Sequence, residues 1–183
     1  MRYKRFASER VFGGSHLTVR RDTWRAPSGQ THDFEVVETP DAVVIVSIDG
    51  AGNVLLVLQH RAGPDRVLLE LPAGGIDAGE TPEQGAQREL REETGHAAAR
   101  LRLLGNFWTV PGFGTEHMYA FLATDLCEDP LPPDKDEGLT LERMPFAKAM
   151  AAARAGQIPD AKSIVALLLA EPVVAELYSF NSD

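Results

Sequence analysis

The chain has 183 residues and a net charge of −9. Its length favours one main domain over two large ones, and its 44% hydrophobic residues exclude a disordered or collagen-like chain. No apolar run approaches the roughly 18 residues of a membrane span, no secretion signal follows the N-terminus, and Cys127 is the one cysteine. We therefore expect a cytoplasmic protein that does not bind membranes. We also expect no nucleic-acid partner, because an acidic chain repels polyanions.

Strand-forming segments dominate the first part of the chain. Runs rich in Val, Ile, Leu, Phe and Thr, separated by turn residues, predict strands at residues 17–24, 33–38, 42–48, 54–60 and 67–71. The segment Asp49-Gly50-Ala51-Gly52-Asn53 predicts a tight hairpin, because Asp, Gly and Asn tolerate the positive φ of such turns.

A helix is predicted next, with recognisable signals at both ends. Thr81 is the expected N-cap, Pro82 the first helical residue, and Gln84 the partner that completes a capping box. The helix should end near Thr94, because Gly95 adopts the left-handed conformation without steric cost. Further strands are predicted at residues 100–108, 116–124 and 138–143, and helices at 145–155 and 161–170. This order predicts an α+β fold with helices packed on a mixed β-sheet.

Three carboxylates share one face of the predicted helix. At about 100 degrees per residue, Glu89, Glu92 and Glu93 lie near 0, 300 and 40 degrees. Like charges four residues apart repel each other, so a compensating cation is expected, and carboxylate oxygens suit Mg²⁺ or Mn²⁺. A solvated acidic surface is the alternative interpretation of these three residues alone.

The spacing around these carboxylates distinguishes the two interpretations. The chain reads Gly74-x5-Glu80-x7-Arg88-Glu89-Leu90-x-Glu92-Glu93-x-Gly95. This resembles the Nudix box, Gly-x5-Glu-x7-Arg-Glu-U-x-Glu-Glu-x-Gly-U, in which U is a bulky aliphatic residue. The final position departs from the pattern, because His96 replaces the last U. The resemblance implies the Nudix fold, a mixed β-sheet sandwiched between helices.

The resemblance also implies a metal site. Glu89 and Glu93 would be the principal ligands, with Glu92 bridging or bound through water, and Ala73 would contribute its backbone carbonyl. The expected cofactor is Mg²⁺, with Mn²⁺ as the alternative. The chemistry would be hydrolysis of a diphosphate, in which metal ions neutralise charge and water is aligned with the leaving oxygen.

Two further box residues have implied roles beside the metal. Arg88 would orient a carboxylate, and we place it with Glu92 in the catalytic set. Glu80 would either pair with Arg88 or contribute to the metal shell, and the sequence leaves both open.

A loop downstream resembles that of the ADP-ribose pyrophosphatase subfamily. Pro111 lies 16 residues after Gly95, and the segment from Pro111 to Glu116 matches the subfamily pattern Pro-Gly-Phe-x-x-Glu. The resemblance makes Glu116 the candidate general base and Gly112 a substrate contact. Glu137 and Glu142 are alternative bases without a matching loop.

Other segments resemble the same subfamily, among them Gln59-His60-Arg61, residues 69–74 with the sequence Leu-Glu-Leu-Pro-Ala-Gly, and residues 156–162 with the sequence Gly-Gln-Ile-Pro-Asp-Ala-Lys. Arg61 would bind a substrate phosphate with its guanidinium fork, and Glu70 belongs to the same substrate-binding set. Phe34 and Glu35 lie where the subfamily contacts adenine, by stacking and by hydrogen bonding.

The resemblance predicts two regions and a homodimer. Residues 1–40 form an N-terminal antiparallel strand extension that exchanges between partners, and residues 41–183 form the Nudix domain. The expected function is Mg²⁺-dependent hydrolysis of ADP-ribose or a related ADP-sugar, giving AMP and ribose 5-phosphate from ADP-ribose. The alternatives are another nucleoside diphosphate sugar such as GDP-mannose, a dinucleotide or an oxidised nucleotide. A non-catalytic nucleotide-sugar sensor is a further alternative from another class.

Overall fold

The computed structural model describes residues 2–15, 17–132 and 138–179. The chain divides into two compact units, of which the first contains Met1–Asp41 and Trp108–His117. The second contains Ala42–Phe107 and Met118–Asp183. Throughout the described ranges, no helix combines the length and the apolar character needed to span a membrane.

The first unit contains a three-stranded antiparallel sheet in the order β1-β2-β3. Its strands are β1 (Lys4–Gly13), β2 (Thr18–Arg25) and β3 (Thr31–Glu38). This sheet confirms the predicted N-terminal strand extension. Strand β1 was not among the predicted segments, because all its residues are exposed and its sequence carries no alternation of buried and exposed positions.

A buried carboxylate organises this first sheet. Asp22 is 0% exposed, and its carboxylate accepts hydrogen bonds from Ser8 Oγ at 2.6 Å and Arg20 Nε at 3.0 Å. Burial alone would raise the pKa of Asp22, but these hydrogen bonds and the nearby arginine charges outweigh it and lower the pKa. These contacts therefore favour the ionised form of Asp22.

The remaining strands form two sheets. They are β4 (Ala42–Ser47), β5 (Asn53–Arg61), β6 (Arg66–Glu70), β7 (Ala73–Gly75), β8 (His96–Trp108), β9 (His117–Glu128) and β10 (Thr140–Pro145). One sheet has the order β7-β4-β9-β8 and the other β10-β5-β6. Strands β4 and β9 are parallel and β4 and β7 are antiparallel, so the first of these sheets is mixed, as predicted.

The helices are α1 (Pro82–Thr94), α2 (Phe146–Arg154) and α3 (Ala161–Ser179). The predicted capping box of α1 is confirmed. The backbone N–H of Gln84 donates to Thr81 Oγ1 at 3.2 Å, and that of Thr81 donates to Gln84 Oε1 at 2.8 Å. Gly95 ends the helix with a φ of 74°, in the left-handed region.

Strand β4 is buried on both faces, and this places it between two helical layers. Val44 and Val46 pack in one apolar cluster with residues of α2 and α3, among them Leu167. Val43 and Ile45 belong to a second cluster that contains residues of α1. Because side chains alternate along a strand, β4 contributes to both clusters. The fold is therefore α+β, with a mixed sheet between helices, as the sequence predicted.

Several predicted boundaries were wrong. Strand β7 was missed, β8 begins at His96 rather than at residue 100, and β10 spans Thr140–Pro145 rather than 138–143. Helix α3 was predicted to end at residue 170, but it continues to Ser179 with Pro172 inside it. A proline removes the donor to the carbonyl four residues earlier. Here that residue is Leu168, whose carbonyl therefore lacks the hydrogen bond of a regular helix.

Candidate active site

One guanidinium connects three acidic residues of the box. Arg88 donates to both oxygens of Glu80 at 2.9 and 3.0 Å, to Glu89 at 2.7 Å and to Glu92 at 2.9 Å. A further hydrogen bond of 2.7 Å reaches the carbonyl of Gly75. The Arg88 hydrogen bond is the main reason why the pKa of Glu80 lies below its ordinary value. Of the two arrangements left open for Glu80, the structure shows the pairing with Arg88.

The carboxylate face of α1 lies against strand β7. Glu93 is 8% exposed, and its Oε2 accepts a hydrogen bond from the backbone N–H of Ala73 at 3.1 Å. A Cβ atom placed on Gly74 would lie 2.2 Å from Glu89 Cδ and 2.2 Å from its Oε1. A side chain at residue 74 would therefore displace the Glu89 carboxylate. The structure thus brings Ala73, Glu89 and Glu93 together.

The donor atoms of this group are of the kind that a hard divalent cation prefers. They are buried carboxylate oxygens next to a backbone strand that carries carbonyl groups. Among the residues that the structure describes, however, no group of three or more His, Cys, Asp or Glu side chains is arranged to hold a metal ion. The positive charge beside Glu89 and Glu92 comes from Arg88 in this arrangement.

Arg61 and Glu70, both predicted to bind substrate, bind each other. Arg61 Nε donates to the two Glu70 oxygens at 2.9 and 3.1 Å, and Nη2 donates at 2.6 Å. Lys162 Nζ also donates to Glu70, which is 1% exposed. Burial raises the pKa of Glu70, but the Arg61 hydrogen bond and the Lys162 charge outweigh it and lower the pKa. The sequence located these residues by resemblance but gave no sign of their pairing.

The loop that carries Glu116 is anchored to β3 within the first unit. The N–H of Val37 donates to the carbonyl of Phe113 at 2.7 Å, and the N–H of Thr115 donates back to Val37 at 3.0 Å. The N–H of Thr39 donates to Thr115 Oγ1 at 3.1 Å. Glu116 itself is half-buried. These bonds fix the backbone on the N-terminal side of Glu116.

The alternative bases have different surroundings. Glu142 is exposed on strand β10, where it pairs in register with Leu56. Glu137 lies outside the described residues.

Phe34 and Gly112 line a common cleft of about 270 Å³ in the first unit. This volume is slightly below the roughly 300 Å³ at which small-molecule pockets begin. Glu35 projects from the opposite face of β3, because side chains alternate along a strand, and it pairs with Arg21 at 3.4 Å. Within this unit the structure does not bring Glu35 to the cleft. The cleft is lined by Tyr3, Trp24, Phe34, Val36 and Gly112.

The fold and the box together define a member of the Nudix family. The chain matches the NUDIX domain over residues 38–168, which is more than half of its length, and it therefore belongs to this family. This confirms the resemblance in the sequence. Hydrolases of this family require a divalent metal ion.

Individual relatives have related names. The chain is 38% identical over 174 residues to the ADP-ribose pyrophosphatase of Mycobacterium tuberculosis, covering 93% of this chain and 84% of that protein. It is 32% identical over 166 residues to the ADP-ribose pyrophosphatase of Bacillus subtilis, covering 90% of each chain. A crystal structure of an ADP compounds hydrolase is similar with a TM-score of 0.87 and 26% identity, covering 97% of this chain and 96% of that one.

Proposed function

We propose that the chain hydrolyses the diphosphate bond of ADP-ribose or of a related ADP-sugar, and that ADP-ribose yields AMP and ribose 5-phosphate. The observation that carries this proposal is the approach of Glu89 and Glu93 to the backbone of Ala73 and Gly74. This approach assembles the box of a diphosphate-hydrolysing family with every acidic position intact. Two relatives that match most of this chain carry the name ADP-ribose pyrophosphatase.

The proposed metal is Mg²⁺, with Mn²⁺ able to replace it. Glu89, Glu93 and the carbonyl of Ala73 would hold it, with Glu92 bridging or bound through water. A divalent cation there would neutralise the negative charge that develops on the diphosphate oxygens. Arg88 donates to one oxygen of Glu89 and to one oxygen of Glu92, and a carboxylate has a second oxygen with which it would bind the cation. The two hydrogen bonds from Arg88 to Glu80 hold the guanidinium in the position from which it orients both carboxylates.

Five other residues complete the proposal around the substrate. Glu116 accepts the proton of the attacking water, which a carboxylate at hydrogen-bonding distance can do. Arg61, whose side chain is 36% exposed, contacts a diphosphate oxygen while Glu70 holds its guanidinium in a fixed orientation. Phe34 stacks on the nucleobase in the cleft that it shares with Gly112.

Glu35 is a proposed substrate contact that lies outside the cleft. Its side chain projects from the other face of β3, so it is a candidate for a ligand bound at that face.

We further propose that the first unit forms a homodimer by strand exchange, in a cytoplasmic protein whose residues 1–40 extend the Nudix domain at 41–183. All residues of β1 are exposed, although several are large and apolar. Contiguous exposed apolar surface marks interaction sites. The large apolar side chains exposed in this unit are Tyr3, Phe6, Val11, Phe12, Leu17, Phe34, Trp108, Val110 and Phe113. Sedimentation equilibrium would test the dimer, and a monomer at micromolar concentration would contradict it.

The function is tested by comparing two substitutions of the same kind on α1. Glu93→Gln removes a proposed metal ligand, whereas Glu83→Gln changes an exposed residue of the first turn. Changing a residue that only orients a metal ligand already lowers metal affinity or activity about 10- to 100-fold. We therefore expect E93Q to lose at least about 100-fold in ADP-ribose turnover with Mg²⁺. E83Q should retain wild-type turnover. Equal turnover in E93Q and wild type would refute the proposal.

A substrate panel separates the alternatives. ADP-ribose, ADP-glucose and GDP-mannose are compared at equal concentration with Mg²⁺ and with a chelator. Faster turnover of GDP-mannose than of the two ADP-sugars would identify the protein as a hydrolase of another nucleoside diphosphate sugar. Tight binding of ADP-ribose without cleavage in Mg²⁺ or in Mn²⁺ would instead indicate a sensor.

A further inference from the structure

The first turn of α3 contacts the segment that leads to Ala73 through a buried serine. Ser163 is 0% exposed. Its Oγ accepts a hydrogen bond from the backbone N–H of Leu71 at 2.8 Å and donates to Asp160 Oδ2 at 2.5 Å. The same Asp160 oxygen accepts from the backbone N–H of Ser163 at 3.0 Å, so Asp160 caps the helix N-terminus. The serine hydroxyl is therefore held in one orientation by the cap.

Residues 71–73 are each bonded to a different element. Leu71 donates to Ser163 of α3 at 2.8 Å. The carbonyl of Pro72 accepts from Ile45 of β4 at 2.9 Å, and the N–H of Ala73 donates to Glu93 of α1 at 3.1 Å. Because Pro72 has no N–H, the Leu71 donor is the nearest backbone N–H that can fix this segment before Ala73.

A second contact connects helix α3 with the chain just before Leu71. Lys162 Nζ donates to Asp160 at 2.8 Å and to Glu70, the residue before Leu71. The side chain of Lys162 is 13% exposed, and that of Glu70 is 1% exposed. The sequence identified residues 156–162 by resemblance and assigned them no role. In the structure the last of these residues, Lys162, bonds to Glu70 at the end of strand β6.

We propose that Ser163 is a positioning residue for the metal site. Through Leu71 it fixes Ala73, and Ala73 in turn presents its carbonyl and orients the Glu93 carboxylate. Removing the hydroxyl leaves the Leu71 N–H buried without its acceptor, which is unfavourable, so the segment shifts to recover a partner. Ser163 acts only through Leu71 and is not a catalytic residue. The inference rests on the proposed function, because it concerns the same divalent cation.

The test compares two buried serines that differ in their hydrogen bonds. Ser163→Ala removes the Leu71 acceptor. Ser47→Ala is the matched control, because Ser47 is also 0% exposed and its hydroxyl has no hydrogen-bond partner within the described part of the chain. Mn²⁺ binding is titrated without substrate by the electron paramagnetic resonance signal of the free ion. We expect S163A to bind Mn²⁺ about 10-fold more weakly. This is the lower end of the loss in metal affinity that follows when a residue orienting a metal ligand is changed. S47A should match wild type.

Kinetics then separate positioning from general damage. In S163A the Mg²⁺ concentration for half-maximal turnover should rise, while KM for ADP-ribose at saturating Mg²⁺ stays at the wild-type value. Folded S163A with wild-type Mn²⁺ affinity would overturn the proposal. If S163A does not fold, Ser163→Cys replaces it, because a thiol of similar size is a weak acceptor. Wild-type Mn²⁺ affinity in folded S163C would overturn the proposal equally.

The two proposals fail in different ways. Wild-type protein that does not hydrolyse ADP-ribose refutes the proposed function, whatever the variants do. Wild-type protein that hydrolyses ADP-ribose, with S163A equal to it in Mn²⁺ affinity, refutes only the role of Ser163.

Discussion

Replacing Gly74 by alanine should disrupt the box more than any other change of one methyl group on strand β7. The added Cβ would lie 2.2 Å from Glu89 Cδ and Oε1 and 2.4 Å from Oε2. Carbon atoms in contact stand about 3.5 to 4.0 Å apart, so the carboxylate has to move by more than about 1 Å. Gly75 offers the matched control, because a Cβ there meets nothing within 4 Å.

The expected loss of stability follows from the interactions of Glu89 that this movement breaks. The Glu89 carboxylate accepts a 2.7 Å hydrogen bond from Arg88, and its side chain is 11% exposed. A hydrogen bond to a charged group contributes about 1.5 to 3 kcal/mol, and an off-rotamer side chain costs about 0.5 to 1.5 kcal/mol. We therefore expect Gly74→Ala to lower the free energy of unfolding by about 2 to 4 kcal/mol.

Urea unfolding of both variants would measure this difference, and Mn²⁺ titration would show whether the site is lost with it. Gly75→Ala should change the free energy of unfolding by no more than about 0.5 kcal/mol, as at most surface positions. Equal stability and equal Mn²⁺ affinity in the two variants would refute the packing of Glu89 against Gly74.

Two further changes probe the supports of the site. Thr81→Ala removes the N-cap of α1 and should cost about 1 kcal/mol, lowering Tm by about 2 to 4 °C in calorimetry; an unchanged Tm would show that the cap contributes nothing. Glu70→Gln tests the buried ion pairs with Arg61 and Lys162. The pKa of Glu70 is lowered on folding, so its carboxylate stabilises the protein above the unfolded pKa of about 4.3, and this contribution is lost as pH falls through the lower folded pKa. The gap in unfolding free energy between wild type and E70Q should be largest at pH 7 and narrow below about pH 4. A gap independent of pH would contradict the assignment.

The helix that carries the box could be predicted from the sequence because its signals are local. Thr81, Gln84 and Gly95 specify its ends through bonds to neighbours in the chain, and the structure has both ends where these residues place them. The end of α3 was missed for the opposite reason. A proline usually stops a helix, but α3 continues through Pro172 and packs Val174 in the core beyond it, and this packing depends on the tertiary fold.

The candidate site shows the same division. The shared face of Glu89, Glu92 and Glu93 could be predicted because an α-helix has 3.6 residues per turn, and Arg88 was expected to orient a carboxylate of the box. The contacts that hold residues 71–73 beside these carboxylates could not be predicted. The bond between Leu71 and Ser163 joins residues 92 positions apart, and no periodicity relates such positions. Buried Asp22 was likewise unpredicted, because carboxylates are almost never buried without partners, and its partner Ser8 lies on another strand.

Within the first unit, strand β3 contributes both to the cleft and to the support of the loop before Glu116. Phe34 forms one wall of the cleft, and Val37, three positions further on, is bonded on both its N–H and its carbonyl to the loop before Glu116. A shift of β3 by one residue would turn Phe34 to the other face of the sheet. The same shift would break the two hydrogen bonds between Val37 and that loop. If Phe34 stacks on the nucleobase and Glu116 is the base, as proposed, substitutions in β3 that change the choice of nucleobase should change the catalytic rate as well.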